Sequence, residues 1–213
     1  MGCCQCQGIE CHFDQKKVNK KLQQYRQQGP VKTTRLLIEA LKAEGVSGMT
    51  LLDIGGGIGV IQSELLEAGV AGATSVEAAS AYVEAARVEA ERRGYAARVI
   101  HYLGNFSELA GQIPPADIVT LDRVICCYDD MPGLVEQSAV RANKLYGLVY
   151  PRDTWWVKLG LALENFTHWL RREQFRVFAH PTKAVEALVQ RHGLKPCFYQ
   201  QVGSWQIVVY KRN

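Results

Sequence analysis

Apolar and polar positions along this chain alternate between short continuous runs and helical stripes. Leu51-Leu52-Asp53-Ile54 is a run of strand formers carrying one carboxylate, and the loop Gly55-Gly56-Gly57-Ile58-Gly59 follows at once. Residues 60–67 have a helical pattern, residues 74–77 form a short strand ending in Glu77, and residues 78–93 are helical again. Strand patterns recur at 97–102, 117–121 and 146–150, with a helix expected over 134–144 between the last two. Strand and helix in turn predict a doubly wound, mostly parallel sheet. At the end of the chain, two alternating runs, 197–202 and 205–211, are joined by Gly203-Ser204 and predict an antiparallel hairpin.

Two stretches lie outside that alternation. Residues 13–42 read as two helices broken at Pro30 after Gly29. Leu36, Leu37, Ala40 and Leu41 give the second helix its apolar face, and Thr33 or Thr34 is expected to cap its start. Residues 161–178 are expected to insert between the fifth strand and a helix over 182–192. Here Leu159, Leu163, Phe166 and Leu170 repeat at i, i+4, i+7 and i+11, one stripe of a helix that is expected to serve as ordinary core. Trp155, Trp156 and Trp169 lie off that stripe and are the better pocket candidates. Arg152, Arg171, Arg172 and Arg176 flank these aromatics and suit a flat acceptor bearing an acid group. The expected division is a Cys-rich segment and helical cap over 1–45, then one domain over 46–213 with 154–180 as a substrate-cap insertion.

The glycine loop narrows the ligand. A dinucleotide fingerprint, G-x-G-x-x-G, counted from Gly55 would place its last glycine at position 60, which is Val60. The spacing is instead G-x-G-x-G, and Asp53 stands two residues before the first glycine, where a carboxylate would repel a phosphate and suit a cation. Asp53 with Gly55, Gly56, Gly57 and Gly59 resembles the cofactor loop of the class I S-adenosylmethionine-dependent methyltransferases. That resemblance extends over roughly residues 46–213. It implies a Rossmann-like α/β fold of seven strands with a C-terminal antiparallel hairpin, a helical N-terminal cap and an inserted helix after strand 5.

The resemblance also implies roles. Glu77, 18 residues after Gly59, takes the place of the ribose ligand, with Ala78 beside it. Asn105 stands where the family usually carries an acid that accepts from the adenine amino group, and an amide oxygen can accept the same bond. Phe106 is a candidate for the adenine face, and Tyr25 for a lid contact. Asp122 and Arg123 end the fourth strand, at the mouth where ligands of open α/β sheets collect. The cofactor implied is S-adenosyl-L-methionine, with S-adenosyl-L-homocysteine as product. The chain lacks the Asn/Asp-Pro-Pro-aromatic motif of nucleic-acid amino-methyltransferases after Asp122, which argues against a base-modifying enzyme. The core looks distantly similar to magnesium-protoporphyrin and ubiquinone-type O-methyltransferases. Attack on a sulfonium methyl is in-line displacement helped mainly by alignment, and a hydroxyl acceptor also needs a base. His180 is the first candidate for that base, followed by Asp122 and Tyr128.

Composition changes this picture little. The chain has 213 residues, enough for a sizeable core, and its net charge of +4 is too small to mark a nucleic-acid binder. Lys16, Lys17, Lys20, Lys21, Arg26, Lys32 and Arg35 crowd the N-terminal region, as a solvated helix face or a face for an anionic partner or membrane surface. Seven cysteines with no secretory signal fit a reducing cytoplasm. Cys3, Cys6, Cys11 and His12 are a conceivable tetrahedral metal set, but their spacing follows no standard zinc signature and no metal is expected. No apolar run is long enough to span a bilayer. The functional expectation is a cytoplasmic methyltransferase acting on a small aromatic or apolar acceptor at oxygen, with no specific nucleic-acid partner. An RNA or protein methyltransferase and a non-catalytic cofactor-binding scaffold are the alternatives.

Overall fold

The computed structural model describes Glu10 and residues 15–213; the candidate metal set Cys3, Cys6, Cys11 and His12 lies outside the described residues. Two cap helices, α1 (Gln15–Gln28) and α2 (Lys32–Ala43), precede the alternating units β1 (Thr50–Ile54), α3 (Val60–Glu67), β2 (Gly72–Glu77), α4 (Ser80–Arg92) and β3 (Val99–Leu103). The short α5 (Phe106–Leu109), then β4 (Ala116–Asp122), α6 (Met131–Ala139) and β5 (Ala142–Pro151) follow. The chain ends with α7 (Trp155–Leu170), α8 (Thr182–Arg191), β6 (Leu194–Val202) and β7 (Trp205–Arg212). One seven-stranded sheet forms in the order β3-β2-β1-β4-β5-β7-β6, with β7 antiparallel to both of its neighbours. The order reverses between β1 and β4, so the loops after these two strands open a crevice at their carboxyl ends.

Each face of the sheet is covered. Leu37, Ile38 and Leu41 of α2 and Ile61 and Leu65 of α3 close one side over Leu51 and Ile118. Leu134 and Val135 of α6 and Val185 and Val189 of α8 close the other over Leu52 and Val119. A third cluster joins Val18, Leu22 and Tyr25 of α1 to Tyr82 and Ala85 of α4 and to Phe175 and Val177. This third cluster mounts the cap above the crevice. Glu89, whose side chain is buried, secures it: burial opposes ionisation, but hydrogen bonds from Arg92, Arg26 and Arg93 hold its carboxyl down to about 2.

Three expectations change. The helix expected over 134–144 ends at Ala139, because Arg141 turns back to the carbonyls of Gln137 (2.6 Å) and Ile113 (3.2 Å) and frees residues 142 onward to pair with β4. Neither threonine caps α2; its N-cap is Val31 without a side-chain bond, and both threonines are buried against the body. The largest change is in α7. The stripe expected as core faces solvent: Leu159 is 64% exposed, Leu163 65%, Phe166 52% and Leu170 61%. Val157 and His168 are the buried residues of that helix. Trp155 and Trp169 are exposed as well and do not line the crevice, so periodicity identified the stripe but not the side it presents.

Candidate active site

The glycine loop is shaped by its strand and its helix together. Gly55, Gly57 and Gly59 take φ of 66°, 54° and 78°, and a Cβ on Gly55 would fall 2.3 Å from the Val124 methyl. Gly56 is required for a different reason. A Cβ there would lie 2.4 Å from Gln62 Nε2 and 2.8 Å from both Asp53 Oδ2 and Ser75 Oγ. Gln62, in the first turns of α3, donates to Asp53 (3.1 Å) and to Ser75 (2.9 Å), while Thr120 of β4 donates to the other Asp53 oxygen at 2.7 Å. The buried Asp53 is thus tied to both strands that flank the crevice.

Glu77 ends β2, as the pattern predicted, and is only 7% exposed. One of its oxygens accepts the Gly57 amide and the other the Ala79 amide, both at 3.0 Å. Each oxygen keeps capacity for a further donor. Burial pushes the Glu77 carboxyl up, and it pushes Asp53 up to about 7, a rise that the neighbouring charges of Asp122 and Glu77 reinforce. Three carboxylates therefore share this end of the crevice, a poor seat for a pyrophosphate and a good one for a cation.

Asp122 and Arg123 close the end of β4. Arg123 has φ of 61°, uncommon for a residue with a side chain, and its amide is fixed to Val149 O at 2.8 Å. The strained backbone turns its guanidinium back onto Asp122 Oδ1 (3.1 Å) and Thr34 Oγ1 (3.1 Å). Thr34 in turn donates to Asp122 Oδ2 at 2.5 Å. Thr34 thereby carries a role that its expected capping function had hidden.

A single cavity of about 540 Å³ runs from this loop to the cap. Asp53, Gly55, Gly56, Gly57, Glu77, Ala78, Phe106, Asp122, Arg123, Tyr128 and Tyr25 line it, so most of the predicted residues are brought together. Gly59, Asn105 and His180 are not. Asn105 lies outside the lining; its side-chain oxygen caps α5 through the Ser107 amide (3.1 Å) and accepts from Tyr128 (2.9 Å). His180 also lies outside, with Nε2 bonded to the carbonyls of Tyr128 (2.8 Å) and Ile125 (3.1 Å), where it braces the loop after β4. The Tyr25 hydroxyl reaches the wall but is committed to Glu64 at 2.8 Å.

The cavity also recruits residues the sequence had not singled out for it. Lys21 of α1 places its ammonium on the Tyr82 hydroxyl, where burial and then Arg123 lower its pKa against the opposing pull of Glu77, Cys127 and Asp122. Ile58, Cys127, Phe175, Val177 and Trp205 form a largely apolar wall. Of the cysteines, Cys126 is buried beside half-buried Cys127, and Cys197 is exposed on β6. The signal for Lys21 was present: it is flanked by Val18, Leu22 and Tyr25 and lies at the edge of the buried stripe of α1.

Residues 5–136 match the family model of the O-methyltransferase domain. The chain belongs to that family. It is an S-adenosylmethionine-dependent methyltransferase of class I fold. No curated protein matches it. Among solved structures it is similar to the magnesium protoporphyrin IX methyltransferase of Synechocystis PCC 6803 with bound SAH, at 17% identity and a TM-score of 0.69, covering 85% of this chain and 82% of that one. The mitomycin 7-O-methyltransferase is 24% identical over 95% of this chain and 59% of its own, with a TM-score of 0.63. An O-methyltransferase family 2 protein from Planctomyces limnophilus DSM 3776, in complex with apigenin, is 16% identical over 84% of this chain and 61% of its own, with a TM-score of 0.61.

Proposed function

We propose that this methyltransferase methylates a hydroxyl oxygen on a small, flat, largely apolar acceptor held against the cap. The observation that carries it is one cavity lined both by the carboxylates Asp53, Glu77 and Asp122 and by the apolar side chains of Phe175, Val177 and Trp205 near the cap. Bound S-adenosylmethionine supplies a methyl group already activated by the sulfonium. Asp53 and the glycine loop hold its cationic part, Glu77 the ribose hydroxyls, and Phe106 with Ala78 the base. The structural neighbours named for a tetrapyrrole, mitomycin and apigenin support a flat ring system as acceptor.

For the acceptor hydroxyl we favour Lys21. It lines the cavity and its ammonium meets the Tyr82 hydroxyl, a position from which it can stabilise the acceptor oxyanion. Asp122 is committed to Thr34 and Arg123, and the Tyr128 hydroxyl donates to Asn105. Calorimetric titration with S-adenosylhomocysteine and with NAD tests the cradle: micromolar binding of the first and none of the second is expected. A panel of phenolic, quinol and amine acceptors with labelled methyl donor then tests the atom. Methylation of amines alone would remove the oxygen assignment. Lys21→Met should lower kcat/KM about 100-fold with S-adenosylhomocysteine affinity unchanged.

A further inference from the structure

Helix α7 is amphipathic in the reverse sense. Its protein-facing side carries polar groups that are matched: Asn165 donates to Val177 O at 2.7 Å and accepts the Val177 amide at 2.8 Å, and His168 meets Glu173 at 2.5 Å. Its solvent side carries Trp155, Leu159, Leu163, Phe166, Trp169 and Leu170, all more than half exposed. With 100° per residue these positions, with Ala162 among them, span about 120° of the helix without a charged residue. Such a contiguous stripe exceeds what monomers ordinarily leave in water.

We infer that α7 is a surface anchor that lies in the interface of a lipid bilayer with anionic headgroups. Four features favour a bilayer over a protein partner. The helix has 16 residues, about 24 Å at 1.5 Å per residue, and no helix of the described residues is long and apolar enough to cross a membrane, so it would lie in the plane. Tryptophans stand at both ends of the stripe, the side chain best suited to the boundary between headgroups and acyl chains. Cations border it: Arg171 and Arg172 immediately after it and Arg152 before it, its guanidinium 5.7 Å over the Trp156 ring, while Lys158 on the helix is paired with Asp153. An isologous contact with a second copy would set these cations against one another, whereas anionic headgroups complement them. Finally, α7 borders the cavity through Glu164, so the anchor would set the acceptor end of the cavity close to the lipid.

The test needs no acceptor, and so stands apart from the acceptor assignment above. The full chain is sedimented with phosphatidylcholine vesicles, with and without phosphatidylglycerol, and its mass is measured by light scattering. Wild type should partition onto the phosphatidylglycerol vesicles and stay monomeric without them, and brominated lipid should quench its tryptophan fluorescence. Leu163→Glu with Phe166→Glu should weaken partitioning at least tenfold while S-adenosylhomocysteine affinity, a check on folding, is unchanged. Arg171→Gln with Arg172→Gln should remove only the salt-sensitive increment given by phosphatidylglycerol. Absence of binding to either vesicle would overturn the anchor. A dimer split by Leu163→Glu with Phe166→Glu, in a protein that ignores vesicles, would overturn it in favour of a second copy.

Discussion

The two ends of the cavity are built differently. At the glycine loop, every polar side chain has a partner within the fold: Asp53 with Thr120 and Gln62, Glu77 with two backbone amides. The residues there come from consecutive βα units and sit on strands paired along their whole length. At the cap, the wall is assembled from α1, the segment between α7 and α8, and the start of β7, held by one apolar cluster and the Glu89 ion network. The glycine-loop end is thus fixed by the sheet itself, whereas the wall depends on contacts between elements distant in sequence.

The largest expected effect would break the cradle. Gly56→Ala drives a methyl into Gln62, Asp53 and Ser75, all buried, and should cost about 3 kcal/mol of unfolding free energy, with loss of cofactor binding in calorimetry. Glu89→Ala would strike the cap instead: it strips three arginines of a buried carboxylate and should cost about 3 kcal/mol in urea unfolding, with the loss of α1 protection in hydrogen exchange preceding that of the sheet. Equal protection loss in both regions would show that the cap is not a separate unit.

Asp53 gives the next effect, in pH. Because its carboxyl is raised to about 7, the ligand-free fold favours the protonated acid. That contribution to stability is fully present below the unfolded value of about 3.9 and is lost as pH rises through about 7. A cationic ligand prefers the ionised form, so affinity for S-adenosylmethionine should fall by up to about tenfold per unit below pH 7. Asp53→Asn should flatten the profile; an unchanged slope would place the titration elsewhere. His180→Ala should lower stability by about 1 kcal/mol through the lost carbonyl bonds, with turnover changed less than about threefold. A much larger fall in turnover would return His180 to the chemistry. Smallest of all, Leu159→Gln on the exposed stripe should move stability by less than about 0.5 kcal/mol; a core leucine would cost several times more.

The cradle was legible because its chemistry is local in sequence. Asp53 and Glu77 stand at the carboxyl ends of β1 and β2 and the glycines follow β1 directly, and a strand end in a doubly wound sheet points to the crevice whatever surrounds it. Asn105 stands after β3 as expected, and its oxygen caps α5 and accepts from Tyr128. His180 was picked as a histidine before a helix, yet its ring serves the backbone of a loop 52 residues earlier in the chain. Thr34 looked like a cap and is instead a partner of Asp122 across 88 residues.

The sequence by itself determined the alternation of elements, the glycine turn and the acidic positions, because strand and helix periods and the φ > 0 requirement act over a few residues. Only the tertiary structure decided which face of α7 meets water, how Arg123 is turned by its strained backbone onto Thr34, and that Lys21 reaches Tyr82. Those outcomes depend on which distant surfaces come together. A stripe of leucines is equally apolar facing a core or a membrane, and the difference lies in the polar partners that the fold places behind it.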